Sequence, residues 1–141
     1  MLTERVGAYR SSMAEGLANV SSLVVDCADP ASLAAFWRAL LGGDVVPYPE
    51  LDVVALRAPG VTFDFVRNGD PKKTKNRWHL DLAADDPAGL VAAALELGAS
   101  RADDVCVSEL FTVMRDPEGN EFCVLEDAST SAPWASPPSD D

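Results

Sequence analysis

The sequence predicts an α+β protein made of two tandem βαβββ units with one additional helix in front of them. The stretch SSLVVDCADPASLAAFWRALLGG at 21–43 returns as WHLDLAADDPAGLVAAALELGA at 78–99, in register at a constant offset of 57. Leu23 then falls on Leu80, Asp29-Pro30 on Asp86-Pro87, Leu33 on Leu90, Leu40 on Leu97 and Ser22 on His79. A looser match sets VTFDFV (61–66) against NEFCVL (120–125), pairing Phe63 with Phe122 and Asp64 with Cys123. Two copies of one unit usually bury their hydrophobic faces on each other, which places any cleft where the halves meet.

In chain order, Leu2, Val6, Tyr9, Met13 and Leu17 recur at spacings of three and four and mark one face of an amphipathic helix over residues 1–19. Strand one covers 22–28 and ends at Asp29-Pro30, an N-cap followed by proline at the first helical position. Leu33, Phe36, Trp37, Leu40 and Leu41 line one helical face, and Gly42-Gly43 stops it. Three short strands follow near 44–48, 52–57 and 61–67, punctuated by Pro49 and Pro59-Gly60. After the polar, basic linker GDPKKTKNR (69–77), the order repeats: a strand over 78–83, a helix over 88–97 closed by Gly98, and strands near 100–103, 105–114 and 120–126. Asp116-Pro117-Glu118-Gly119-Asn120 marks the turn before the last. The chain is thus organised as a helix over 1–19, one domain over 20–127 with halves at 20–68 and 77–127, and a Ser- and Pro-rich mobile tail over 128–141.

Composition bounds the function classes. At 141 residues and 48% hydrophobic content the chain is one domain's worth of globular protein. No apolar run is long enough to span a bilayer and the start MLTERVGAYR lacks the core of a secretion signal, so a cytoplasmic location is expected. Cys27, Cys106 and Cys123 are odd in number and without CxxC spacing, which indicates reduced thiols. A net charge of -12 opposes nucleic acid and anionic membrane alike. It is compatible with a cationic ligand, although surface carboxylates also serve solubility.

Period two sorts each strand into faces. Leu23, Val25 and Cys27 face the helices, as do Trp78, Leu80, Leu82, Phe63, Phe65, Phe122 and Val124. The opposite face then carries Ser22, Asp26, Asp64, Arg77, His79, Asp81, Glu121 and Cys123. A wet antiparallel sheet face also collects polar groups, and a lone histidine there is more often a solvated or hydrogen-bonded strand residue than a site.

Three stretches go further: DPASLAAFWRALLGG (29–43), DPKKTKNRWHLDLAADDP (70–87) and RDPEGNEFCVLE (115–126). With paired βαβββ units around them, they resemble the vicinal oxygen chelate superfamily, which includes glyoxalase I, bleomycin-resistance proteins and extradiol dioxygenases, and most of all its glyoxalase-like branch. The resemblance covers about 20–127 and implies a curved mixed sheet around a cup, with a divalent metal at its centre in many members. Carried over by position, the ligand sites of that family are Ser22, Asp64, His79 and Cys123. His79 matches directly, Asp64 shortens a position where Glu is common, and Ser22 and Cys123 depart from the usual His or Gln and Glu. A serine hydroxyl is a poor ligand, and a hard-metal site is not built around a thiolate. The remaining metal set, His79, Asp64 and Cys123, suits zinc with one open position, while a metal-free cup is the other reading.

Two functions follow from this resemblance. One is a glyoxalase-like enzyme acting on a carbonyl- or vicinal-oxygen-bearing metabolite, with acid-base work at His79 and a carboxylate, Asp64 or Asp81. Arg77, Asp26, Ser22 and Glu121 would contact the ligand, Arg77 either clamping a carboxylate or phosphate or pairing with Asp26, Asp64 or Asp81. The alternative is a non-catalytic binding or resistance protein of the same fold, whose acidic groove holds a cationic antibiotic or a metabolite. A module that only mediates subunit contacts is a third reading. A homodimer is expected, as is common in the resembled superfamily.

Overall fold

The computed structural model describes residues 16–127. Strand β1 (Leu23–Cys27), helix α1 (Pro30–Leu41), β2 (Asp44–Tyr48), a 3-10 turn (Pro49–Leu51), β3 (Val53–Ala58) and β4 (Val61–Arg67) form the first half. The second repeats it with β5 (Asp81–Leu82), α2 (Pro87–Glu96), β6 (Ser100–Arg101), β7 (Phe111–Arg115) and β8 (Glu121–Leu125). Each half builds a four-stranded mixed sheet of one topology, β1-β4-β3-β2 and β5-β8-β7-β6. In both, the first strand runs parallel to the last: Val24 pairs with Asp64, and Asp81 with Cys123. The tail over 128–141 and most of the expected N-terminal helix lie outside the described residues. Of that helix only 16–19 are described; they are not helical, and Leu17 is fully exposed.

The helices start where the repeat places their caps. The Asp29 carboxylate accepts from the Ser32 amide at 3.2 Å, and the Asp86 carboxylate from the Gly89 amide at 3.0 Å, each ahead of a proline that has no amide hydrogen to leave unsatisfied. Gly43 closes the α1 end with φ 98°, where a Cβ would stand 2.2 Å from the Arg57 carbonyl oxygen. No side chain fits between that turn and β3.

One core joins the halves. Leu33, Phe36 and Trp37 of α1 pack with Leu56, Phe63 and Phe65 of the first sheet and with Met114, Phe122 and Val124 of the second. Trp37 is its hinge pin: its ring stacks on Phe63 at 6.0 Å and meets the edges of Phe36 at 5.3 Å and Phe122 at 5.0 Å. Its indole N–H donates to the buried Asp116 at 3.2 Å. Burial pushes the Asp116 carboxyl up, while donation from Asn120, the Glu118 amide and Trp37 works the other way. In the same turn, the Glu118 carboxylate accepts from the Ala28 and Asp29 amides, so the second half also clasps the N-terminal end of α1.

Two stretches differ from the pattern read in the sequence. The strand expected over 78–83 forms only at Asp81–Leu82, so Trp78, expected inward, is 86% exposed. Residues 76–80 have only one backbone bond to the sheet, from the Cys123 amide to the Leu80 carbonyl at 2.9 Å, and period two has no force without a ladder. The strand expected over 105–114 begins only at Phe111. Ahead of it the chain turns at Ala102, whose carbonyl accepts from the Val105 amide, and Asp103 and Asp104 turn out to pair with Arg101 and Arg115.

Candidate functional site

Two features stand out, a cleft where the halves meet and a donor group on the second sheet that touches it through His79. The first is a cleft of ≈ 1160 Å³ bounded by β1, the linker over 68–80 and the 116–122 turn, with Trp37, Phe63 and Phe122 on its apolar wall. Asp26, Arg77 and His79 line it, and so does Glu121. The linker keeps its path because Glu121 holds it: this carboxylate accepts from Lys72 Nζ at 3.0 Å and from the Asn76 amide at 3.2 Å. Burial by itself would raise the Glu121 pKa, but those hydrogen bonds outweigh it and leave the group below its ordinary value. Glu121, expected to face the cup as a ligand contact, lines the cleft, but it is 5% exposed and its carboxylate already has partners in the linker. Its partners are polar linker residues whose path no strand period could give.

The second feature is a group of three donors on β5, β8 and the residues before β5. Side-chain donor atoms of His79, Asp81 and Cys123 all lie within 4.8 Å of one another. His79 Nε2 is 3.2 Å from Asp81 Oδ1. The parallel register sets Asp81 beside Cys123, and the residue two before Asp81 along the chain is His79, on the same side. Cys123 is buried with Ala102 and Val113 beneath the loop that carries Val105. Burial pushes its thiol up to about 11, with the Asp81 charge adding to that and Lys75 opposing it.

Asp64 is not in this group. It belongs to the first sheet, where Ser22 Oγ donates to its Oδ2 at 2.7 Å, beside a shallow hollow lined by Val24, Tyr48 and Arg57. Of the metal set read from the resemblance, His79 and Cys123 come together, and the carboxylate beside them is Asp81 rather than Asp64. Arg77 is exposed at the cleft and forms none of the ion pairs considered for it among the described residues. Two inter-half contacts, Trp37 with Asp116 and Glu118 with the α1 start, escaped sequence reading. The DPEGN motif signals a turn but not what its carboxylates will reach.

The chain is thus a tandem βαβββ protein with a cleft between its halves and a cluster of metal-type donors on its second sheet. A family model described as "Glyoxalase-like domain" matches residues 22–125, and the chain belongs to that family. Among solved structures, a glyoxalase/bleomycin resistance protein from Albidiferax ferrireducens is 26% identical with a TM-score of 0.56, over 75% of this chain and 96% of that one. A glyoxalase/bleomycin resistance protein/dioxygenase family enzyme from Burkholderia phytofirmans is 18% identical, TM-score 0.62, over 76% and 97%. A fosfomycin resistance protein, FosX, from Listeria monocytogenes, complexed with Mn(II) and 1S,2S-dihydroxypropylphosphonic acid, is 10% identical, TM-score 0.65, over 82% and 94%. The last two show the fold alone. No curated protein matches the chain. No helix among the described residues is long and apolar enough to cross a membrane.

Proposed function

We propose that this protein is a glyoxalase-like enzyme acting on a small metabolite with a carbonyl or adjacent oxygens, and that its reacting centre is the group His79, Asp81 and Cys123. The observation that carries this reading is the convergence of one imidazole, one carboxylate and one thiol within 4.8 Å on the second sheet, with His79 also lining the cleft between the halves. Nitrogen, oxygen and sulfur together fit zinc, which takes all three, and not the hard oxygen-preferring ions. These three side chains would hold the metal. When bound, such an ion supplies a positive charge that polarises a carbonyl oxygen. The chain's own part is positioning: Asp81 fixes the plane of the His79 ring, and the aromatic wall of the cleft excludes water from the substrate's apolar side.

A second reading has an observation of its own. A thiol buried in an apolar cluster with its pKa near 11 is what a neutral core cysteine looks like. In that case His79 itself is the base, with Asp81 as the orienting carboxylate 3.2 Å away. Elemental analysis of protein purified without chelator or nickel affinity separates the two. The proposal expects stoichiometric zinc in the parent chain and little in His79→Ala. A metal-free parent whose turnover still falls with His79→Ala selects the second reading, and a His79→Ala variant that turns over every tested metabolite normally overturns both.

A further inference from the structure

The cleft and the basic linker combine into a ligand preference. Five of the chain's 11 Lys and Arg residues, Arg67, Lys72, Lys73, Lys75 and Arg77, line this one cavity in a protein of net charge -12. Asp26, Asp70, Asp116, Glu118 and Glu121 also line it, so the count of charges decides nothing until the existing partners are assigned. Asp116 is occupied by Trp37, Asn120 and the Glu118 amide, Glu118 by the Ala28 and Asp29 amides, and Glu121 by Lys72 and Asn76. Arg67 is taken by Asp52 and the Ala28 carbonyl. Among the described residues Lys73 and Arg77 have no hydrogen-bond or ion-pair partner, and Lys75 reaches only the Asn76 carbonyl at 3.0 Å. The charges left for a ligand are three cations on one short segment against Asp26 and Asp70.

We infer that the cleft binds a small organic anion, its carboxylate or phosphate group held by Arg77, Lys73 and Lys75 and its apolar part against Trp37, Phe63 and Phe122. This deepens the proposed function by naming the substrate class, and it rests on the cleft being the substrate site. A guanidinium gives an oxyanion two parallel hydrogen bonds, and Arg77 lines the same cleft as His79. A cationic antibiotic would meet unpaired positive charge instead.

The test is thermal unfolding and calorimetry of the full chain with inorganic phosphate, benzoate and spermidine as probes. Phosphate or benzoate is expected to raise the midpoint by about 4 °C at ten times its Kd. Arg77→Glu is expected to weaken that Kd roughly tenfold or more, while Arg101→Glu, with the same charge change on β6 away from the cleft, leaves it within about twofold. Cys123→Ala removes a donor of the proposed metal group that does not line the cleft, and keeps anion binding. Retained anion binding with no metal in the parent chain would therefore sink the metal proposal and leave this inference standing. No stabilisation by either anion, stabilisation by spermidine alone, or equal losses in Arg77→Glu and Arg101→Glu would overturn the inference.

Discussion

Replacing Trp37 by alanine is expected to remove on the order of 4 kcal/mol of stability, a large share of what a domain of this size has. The residue is 4% exposed and touches aromatic rings of both halves, so truncation opens a cavity at the one place where the two units share a core. Asp116 would at the same time lose one of its donors. Trp37→Phe separates the two contributions: it keeps a ring against Phe63 and Phe122 and loses the N–H, and its cost is expected to be about 1 kcal/mol. Urea midpoints at constant slope measure both changes. If Trp37→Ala and Trp37→Phe cost the same, the hydrogen bond rather than the aromatic packing ties the halves together.

The second large effect concerns the carboxylate of the proposed metal group. Asp81→Ala is expected to weaken zinc binding roughly a hundredfold, since even partners that only orient a ligand cost 10- to 100-fold when removed. Asp64→Ala is expected to change it by no more than about twofold, because Asp64 is paired with Ser22 on the other sheet and holds none of the three donors. Competition against a chromophoric chelator gives both constants. A larger loss in Asp64→Ala than in Asp81→Ala would restore the ligand set that family position alone implies.

The contrast between these two aspartates shows how far the amino-acid pattern reaches. The repeat, the paired Asp-Pro helix starts and the inward faces of β1 and β4 are local or periodic properties, and a single strand carries them legibly: Cys27, Phe63 and Phe65 are buried while Val24 and Asp26 are exposed. That His79 and Cys123 belong to one site follows from the family positions. That Asp81 joins them depends on the register of β5 against β8, which hydrogen bonds between distant segments decide. Trp78 shows the complementary failure. Alternation placed it in the core, but a strand that pairs at only two residues imposes no alternation on those before it. Glu121 does line the cleft as read, but its charge is spent on Lys72 and the Asn76 amide, which hold the linker down. Charge on a linker is visible in a sequence; which of those charges already has a partner is not.

In the proposed site Cys123 shares one ion with His79 and Asp81. Loading the metal-free protein with cobalt(II) and recording the near-ultraviolet and visible absorption of the parent chain and of Cys123→Ala tests this. A thiolate-to-cobalt charge-transfer band is expected in the parent and not in Cys123→Ala. Cobalt bound without such a band, or a band that survives in Cys123→Ala and so belongs to the exposed Cys106 instead, would remove Cys123 from the site.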